Sequence, residues 1–198
     1  MKTEQLIVSD PRLLAEFIGP ETFKAVFEAR YEVPPDHLGL LMRNGQFVEA
    51  YKGAHFSVGG LFNQMKGLIG GSTSISVLIA DLKTFQSFYD VVATTKDKVD
   101  VTGTVVLDLQ INPEKPQNIL GMMQQRRSLT KEDAAARIRS HGWERVFEAA
   151  LSRVNANEVR GNKGLQDMMQ ADLMKECERI AGDLGLMVRA ASVNFAVN

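Results

Sequence analysis

Residues 99–111 show the longest alternation of hydrophobic and polar positions in the chain. Apolar side chains occupy every second position, and only Gly103 and Val106 blur the pattern. A two-residue period is typical of a β-strand with one buried face and one face toward water. The segment before it, 86–95, is rich in β-branched and aromatic residues, and a short Lys-Asp-Lys turn separates the two. We therefore predict an antiparallel pair, the arrangement that permits a single covered face.

Three further regions carry strand patterns. Residues 38–43 and 46–51 flank an Asn-Gly pair, which tolerates the positive φ angles of a type I′ turn, so they predict a hairpin. Residues 74–81 alternate isoleucine and valine with serine and leucine, which indicates another strand. Residues 186–197 can alternate again and predict a closing strand at the end of the chain.

The first 32 residues predict short helices. Asp10 followed by Pro11 is typical of an N-cap with proline at the first helical position, and a Gly-Pro pair ends the segment. A second amphipathic turn or two follows before Pro34 and Pro35. We expect a helical N-terminal segment over 1–32 and the main domain over 33–198. The apolar positions of the two turns are Leu13, Leu14, Phe17, Ile18, Phe23, Val26 and Phe27.

After residue 113 the hydrophobic period changes to that of helices. Thr130 is placed as the N-cap of a helix that continues to Val154, and Gly142 weakens its middle. A second long helix runs from Lys163 to Asp183 and stops at Gly185, a favourable residue after a helix end. The predicted fold class is α+β, with a mostly antiparallel sheet, two long helices toward the C-terminus and a closing strand.

Residues 59–74 form an amphipathic stretch bracketed by glycine pairs. Its apolar positions repeat at helical spacing, with polar residues opposite, which predicts one face of a short helix. Two interpretations remain open: the helix packs against the sheet or core, or it lies at a membrane or partner surface. The candidate membrane or partner contacts are Leu61, Phe62, Met65, Leu68 and Ile69.

The charges balance overall but not locally. A net charge of −1 gives no general attraction to phosphate backbones, so we expect no nucleic-acid partner. Residues 1–50 carry five basic and eight acidic side chains (5 − 8 = −3), and residues 121–165 carry nine basic and five acidic (9 − 5 = +4). Either copies stack head to tail, or both segments are solvated surface. The candidate assembly contacts are Arg126, Arg127, Arg137 and Arg139.

The residues that carry most enzyme chemistry are sparse. The lone Cys177 falls on the apolar stripe of a helix, where a cysteine is usually a small buried side chain, and a single thiol suits a reducing compartment. The three histidines have no metal-ligand spacing, and the sequence GLIGGSTS lacks the lysine of a phosphate-binding loop. We expect no catalytic residues, no metal and no cofactor. Without a signal-peptide pattern or a long apolar run, we expect a cytoplasmic protein that can associate with a membrane surface.

Several strings resemble the stomatin–prohibitin–flotillin domain, also called SPFH or Band 7. Residues 33–45 are similar to its opening hairpin, and Gly53-Ala54-His55-Phe56 resembles its PGxHF string, with Lys52 where proline is usual. Thr95-Lys96-Asp97 matches its TKD turn, which precedes a long strand like 99–111. The likeness covers about residues 30–198 and depends on the order and spacing of short strings. Two further matches are 151–159 for a helix and turn and 185–188 for the final strand.

The resemblance implies a non-enzymatic scaffold. Members of this family form rings, cages or arrays at membranes, organise lipids and proteins, and regulate partner proteins. It implies a homo-oligomer here, with a membrane lipid surface or another protein as a possible partner. The family's N-terminal membrane segment is not evident, and the chain stops before the long coiled-coil helix of many relatives, so membrane contact would be peripheral. The alternative is a soluble, shell-forming protein that uses the same domain without membrane contact.

Overall fold

The computed structural model describes residues 3–19, 30–57, 74–124 and 126–196. The chain divides into two compact units, each built from two segments. Unit 1 comprises Met1–Lys83 and Ile111–Lys131, and unit 2 comprises Thr84–Gln110 and Glu132–Asn198.

The strands and helices occur in the following order. The strands are β1 (Thr3–Gln5), β2 (Leu13–Ile18), β3 (Arg30–Val33), β4 (His37–Arg43), β5 (Gln46–Tyr51), β6 (Ala54–Ser57), β7 (Ile75–Asp81), β8 (Phe85–Thr94), β9 (Asp100–Ile111), β10 (Ser128–Thr130) and β11 (Leu186–Ala196). A 3₁₀ turn at Pro116–Asn118 precedes the helices α1 (Ile119–Met123), α2 (Lys131–Arg139), α3 (Arg145–Leu151), α4 (Ala156–Val159) and α5 (Lys163–Asp183).

Unit 1 contains two sheets. The larger has the strand order β10-β2-β7-β4-β5, with antiparallel neighbours throughout. The smaller has the order β1-β3-β6, and β1 runs parallel to β3. Strand β4 is almost wholly buried, as expected for a central strand covered on both faces. One core cluster of unit 1 consists of Leu6, Tyr31, Val33, Leu41, Ile75, Val77 and Ile79.

Unit 2 contains a three-stranded sheet and most of the described helices. The strand order is β11-β9-β8, and β8 pairs antiparallel with β9 from Phe85 opposite Leu109 to Thr94 opposite Asp100. An aromatic group packs edge to face inside this unit, with Tyr89, Trp143, Phe147 and Phe195 in successive contact. Helix α5 adds an apolar stripe of Leu165, Met169, Leu173, Cys177 and Ile180, all buried.

The predicted strands and the long C-terminal helix are confirmed. The hairpin around Asn44-Gly45 forms as β4 and β5, the two alternating segments pair as β8 and β9, and the closing strand is present as β11. Helix α5 spans Lys163–Asp183 as predicted, and Gly185 has a φ of 77° directly after it. A positive φ at this position is the common way for a helix to end.

The predicted helix over Leu13–Ile18 is wrong. These residues form β2, which is hydrogen-bonded to β7 on one side and β10 on the other. Six residues give too little local stability to hold a helix in water, so pairing with two distant strands decides the conformation. The second predicted turn, at Phe23, Val26 and Phe27, lies outside the described residues.

The helix expected from Thr130 to Val154 is interrupted. Thr130 ends β10, and the helical region divides into α2 and α3 on either side of Gly142, which has a φ of 67°. Such a conformation cannot continue a right-handed helix and favours glycine. The described chain is therefore α+β with mostly antiparallel sheets and one long helix near its C-terminus.

Candidate assembly surface

The outer face of β8 and β9 carries an exposed apolar centre, which we call the β8–β9 face. Phe88 is 66% exposed and Val92 is 61% exposed. Both lie on the same side of β8, and Val106, which is partly exposed, lies directly opposite Phe88 on β9. Large apolar side chains that stay in water on one sheet face are typical of interaction surfaces.

Hydrogen-bonded polar pairs close both ends of this face. At one end the Gln86 amide donates to the Asp108 carboxylate at 2.9 Å, and at the other the Thr94 hydroxyl donates to the Asp100 carboxylate at 2.7 Å. Between them, Asp90 lies opposite Thr104. An apolar centre with a polar rim is the usual anatomy of a protein–protein contact.

The other face of β8 is firmly anchored. Phe85, Ser87, Tyr89, Val91 and Ala93 are all buried and alternate with the exposed positions. The Tyr89 hydroxyl donates to the Ala135 carbonyl oxygen at 3.1 Å, and burial raises the pKa of Tyr89 to about 12. The exposed positions of β8 are thus fixed by their buried neighbours, because successive side chains of a strand point to opposite faces.

One of the four candidate arginines has a defined role beside this sheet. The Arg139 guanidinium donates to the Asp90 carbonyl oxygen at 2.9 Å, and it also lies 3.2 Å from the Glu144 carboxylate. Strand β8 ends the sheet order on this side, so Arg139 occupies an acceptor on an edge strand. Charged side chains on edge strands are a common protection against unwanted strand pairing.

The other three candidate arginines are divided between the two units. Arg137 is half-buried on α2, in unit 2. Arg126 and Arg127 are exposed and belong to unit 1, where the Arg127 carbonyl oxygen accepts a hydrogen bond from the Phe17 backbone N–H at 2.8 Å. The prediction that all four serve as assembly contacts stays untested.

The turn between β8 and β9 is tied to the loop before α4. The Asp97 carboxylate accepts hydrogen bonds from the Thr95 hydroxyl at 2.6 Å and from the Ala156 backbone N–H at 3.0 Å. The Lys96 backbone N–H donates to the Val154 carbonyl oxygen at 2.9 Å. The hydrogen bonds that Asp97 accepts, first that from Thr95 and then that from the Ala156 backbone, lower the pKa of its carboxyl. The Thr-Lys-Asp string therefore has a structural role at the tip of the hairpin.

Unit 1 holds a polar network at the ends of β4 and β7. His37 Nδ1 lies 2.8 Å from Asp36 Oδ1, and the other Asp36 oxygen lies 3.0 Å from Lys83 Nζ. The interactions with His37 and Lys83 lower the pKa of Asp36 to about 2. Lys131 Nζ lies 3.1 Å from the buried Asp81 carboxylate. All the charged groups of this network have protein partners, so it serves to connect the strand ends.

The cysteine and the other two histidines lie in the following surroundings. Cys177 is buried, and desolvation raises the pKa of its thiol to about 12, far from what a nucleophile at neutral pH needs. His55 lies exposed on β6, and the exposed His141 has its Nδ1 2.8 Å from the Arg137 carbonyl oxygen. Within residues 3–19, 30–57, 74–124 and 126–196, no three His, Cys, Asp or Glu side chains are placed to hold a metal ion.

The five candidate membrane contacts, Leu61, Phe62, Met65, Leu68 and Ile69, lie outside the described residues. In the described part of the chain, every helix is too short or too polar to cross a bilayer.

Sequence reasoning missed the β8–β9 face. Phe88 and Val92 alternate with inward-facing residues that are also apolar, so the apolar pattern alone does not separate the two faces. The signal lies in the polar positions Gln86, Asp90 and Thr94, which share a two-residue period with Phe88 and Val92.

In comparisons with known proteins, no family model matches the chain, and no curated sequence matches it at a significant level.

Proposed function

We propose that this protein is a non-enzymatic scaffold that assembles from several copies of itself and organises lipids or partner proteins at a membrane surface. The observation that carries the proposal is the β8–β9 face, where Phe88 and Val92 are exposed on a strand whose other side is fully packed. Burying one such side chain contributes about 1.5–3 kcal/mol. Two such side chains on each copy, surrounded by a polar rim, can form the apolar centre of a specific protein–protein contact.

The uneven charge along the chain favours assembly from several copies, independently of the β8–β9 face. Residues 1–50 have a net charge of −3, from five basic and eight acidic residues, and residues 121–165 have +4, from nine basic and five acidic. Opposite charges on different segments of one chain favour contact between unlike surfaces of two copies. Such a head-to-tail contact generates rings or open arrays, which are the forms a scaffold takes.

The membrane part of the proposal depends on residues 59–74. Their amphipathic pattern places five apolar side chains on one face of a segment too short to span a bilayer but long enough to lie at its surface. The resemblance to the stomatin–prohibitin–flotillin domain supports the same function. The alternative is a soluble shell-forming protein, and flotation with and without liposomes separates the two.

Light scattering after size-exclusion chromatography tests the assembly directly. We expect the wild type to form species larger than a dimer and Phe88→Asp to reduce their mass, with no large change in melting temperature. Gln117→Asp is the matched control, because Gln117 is exposed in unit 1, lies outside both charged segments and receives the same charge. A wild type that is monomeric over the whole concentration range, or a Phe88→Asp variant that assembles normally, would exclude the proposal.

A further inference from the structure

An open groove of about 440 Å³ runs between α5 and β11 in unit 2. Helix α5 contributes residues at the spacing of a single helix face, and β11 contributes two small residues from its middle. Half of the lining consists of alanines, whose short side chains leave the groove open. The lining residues are Asp167, Gln170, Ala171, Met174, Ala190 and Ala191.

The groove lies beside the second edge of the sheet. Strand β11 ends the order β11-β9-β8, and among the described strands it is hydrogen-bonded to β9 alone. It is eleven residues long, so its other side presents a long row of backbone donors and acceptors to a further strand. On the opposite edge, Arg139 already occupies an acceptor of β8. The β11 edge is therefore the more suitable of the two for strand addition.

The surface of α5 is complementary to itself. Asp167 and Lys175 are both exposed, and neither has an ion-pair partner in the part of the chain that the structure describes. Met168 is 48% exposed. If two α5 helices pack antiparallel about Ala171, Asp167 of each copy lies opposite Lys175 of the other, and Met168 lies opposite Met174. Each copy thus provides a cation, an anion and an apolar pair at matching positions.

We propose that α5 and β11 form a two-fold interface between two copies of this chain. The β11 strands pair antiparallel about Ala191, and the two three-stranded sheets become one sheet of six strands. The small side chains Ala190 and Ala191, which line the groove, leave room for the two α5 helices to approach each other over the joined strands. This interface deepens the proposed scaffold function, on which it rests, by giving the assembly a dimeric building block distinct from the β8–β9 contact.

Charge exchange tests the pairing of the helices. Asp167→Lys and Lys175→Asp each place like charges opposite one another at two symmetric points, so each should weaken the dimer about tenfold or more. The double variant Asp167→Lys/Lys175→Asp restores opposite charges and should recover the wild-type dissociation constant. Sedimentation velocity in the Phe88→Asp background measures the dimer without larger assemblies. If the double variant is no tighter than the single ones, the helix register is excluded.

Cross-linking tests the pairing of the strands. Directly opposed residues of antiparallel strands have Cα atoms about 4.5–5.5 Å apart, within the range of a disulfide. Ala191→Cys should therefore form a covalent dimer under mild oxidation. Ala149→Cys, at an exposed position on α3 that does not line the groove, is the matched control and should stay monomeric on a denaturing gel. The wild type provides the background, because its Cys177 is buried.

The outcomes separate this inference from the scaffold function. If Phe88→Asp reduces the mass of the assembly but Ala191→Cys forms no more covalent dimer than Ala149→Cys, the two-fold interface is wrong and the scaffold stands. If Ala191→Cys cross-links but the wild type never exceeds a dimer, the two-fold interface is supported and the larger scaffold assembly is excluded. If the wild type is monomeric throughout, both are excluded. A circular dichroism melt of each variant identifies any that fail to fold.

Discussion

Lys131 Nζ lies 3.1 Å from the Asp81 carboxylate and donates a second hydrogen bond to the Pro11 carbonyl oxygen at 2.7 Å. The Asp81 side chain is only 5% exposed, and its carboxylate accepts hydrogen bonds from this lysine and from the Lys83 backbone N–H. One lysine thus joins the end of β7, the turn before β2 and the start of α2.

Removing that lysine should destabilise unit 1. Lys131→Met leaves a buried carboxylate without its cation and should lower the free energy of unfolding by about 3 kcal/mol. Adding Asp81→Asn removes the unpaired charge and should recover much of the loss. Lys83→Met is the control, because its partner Asp36 is well exposed and little change is expected. Urea unfolding measures all four proteins, and equal losses in the single and double variants would contradict the paired burial.

Gly103 marks a close approach within unit 2. A Cβ atom at this position would lie 2.6 Å from the Phe195 ring. Gly103→Ala should therefore cost about 1–3 kcal/mol through overpacking, and a smaller side chain in Phe195→Leu should relieve part of it. Gly182→Ala is the matched control, because nothing lies within 4 Å of its Cβ position in α5. A neutral Gly103→Ala, measured by thermal unfolding, would show that β9 and β11 separate easily there.

The Cys177 thiol should report on the unfolding of unit 2. It is fully buried and its pKa is raised to about 12, so a thiol reagent should label it only when α5 opens. The folded-state pKa lies above the unfolded value near 9. The buried neutral thiol therefore contributes fully to folding stability below pH 9, and this contribution declines as the pH rises toward 12. Fast labelling of the native protein at pH 7 would contradict the burial.

Acid should weaken unit 1 through Asp36. Its pKa is lowered to about 2, chiefly by the His37 hydrogen bond and then by Lys83. A depressed carboxyl pKa stabilises the fold above its unfolded value of 3.8, and that stabilisation declines as the pH falls from 3.8 toward 2. Asp36→Asn should therefore lower stability at pH 6 but not at pH 2. The effect is small because the side chain is 44% exposed, and a difference that persists at pH 2 would point to packing instead.

The membrane contact can be tested by one substitution on each side of the amphipathic segment. Phe62→Asp places a charge on its apolar face and should abolish flotation with liposomes while the melting temperature stays nearly unchanged. Asn63→Asp adds the same charge to the polar side and should float like the wild type. A large loss of stability in Phe62→Asp would instead assign this face to the core.

The strands of the β4–β5 hairpin and of the β8–β9 pair can be predicted from the sequence. Their turn residues and their two-residue hydrophobic period are evident within a short stretch of the chain. Helix α5 follows for the same reason, because its apolar stripe is long. Strand β2 does not, because its conformation is decided by two partners, β7 and β10, that lie more than 50 residues away in sequence.

The candidate sites divide in the same way. Cys177 could be placed from its position on a helical stripe. Two other features depend on how distant elements pack, and they cannot be predicted from a short stretch of sequence. These are the role of Arg139 at the edge of β8 and the groove between α5 and β11. The exposure of Phe88 is likewise a property of the assembled sheet, since Tyr89 beside it is equally aromatic and buried.

The two units are interleaved along the chain, and this constrains the order in which they can be completed during synthesis. Strand β10, at the edge of the large sheet of unit 1, is made only after the β8–β9 hairpin of unit 2. The ribosome must therefore deliver the first segment of unit 2, Thr84–Gln110, before unit 1 can be completed. A nascent chain arrested before residue 128 would expose an unpaired side of β2. Chaperones that bind open strand edges could bind this side until β10 is synthesised.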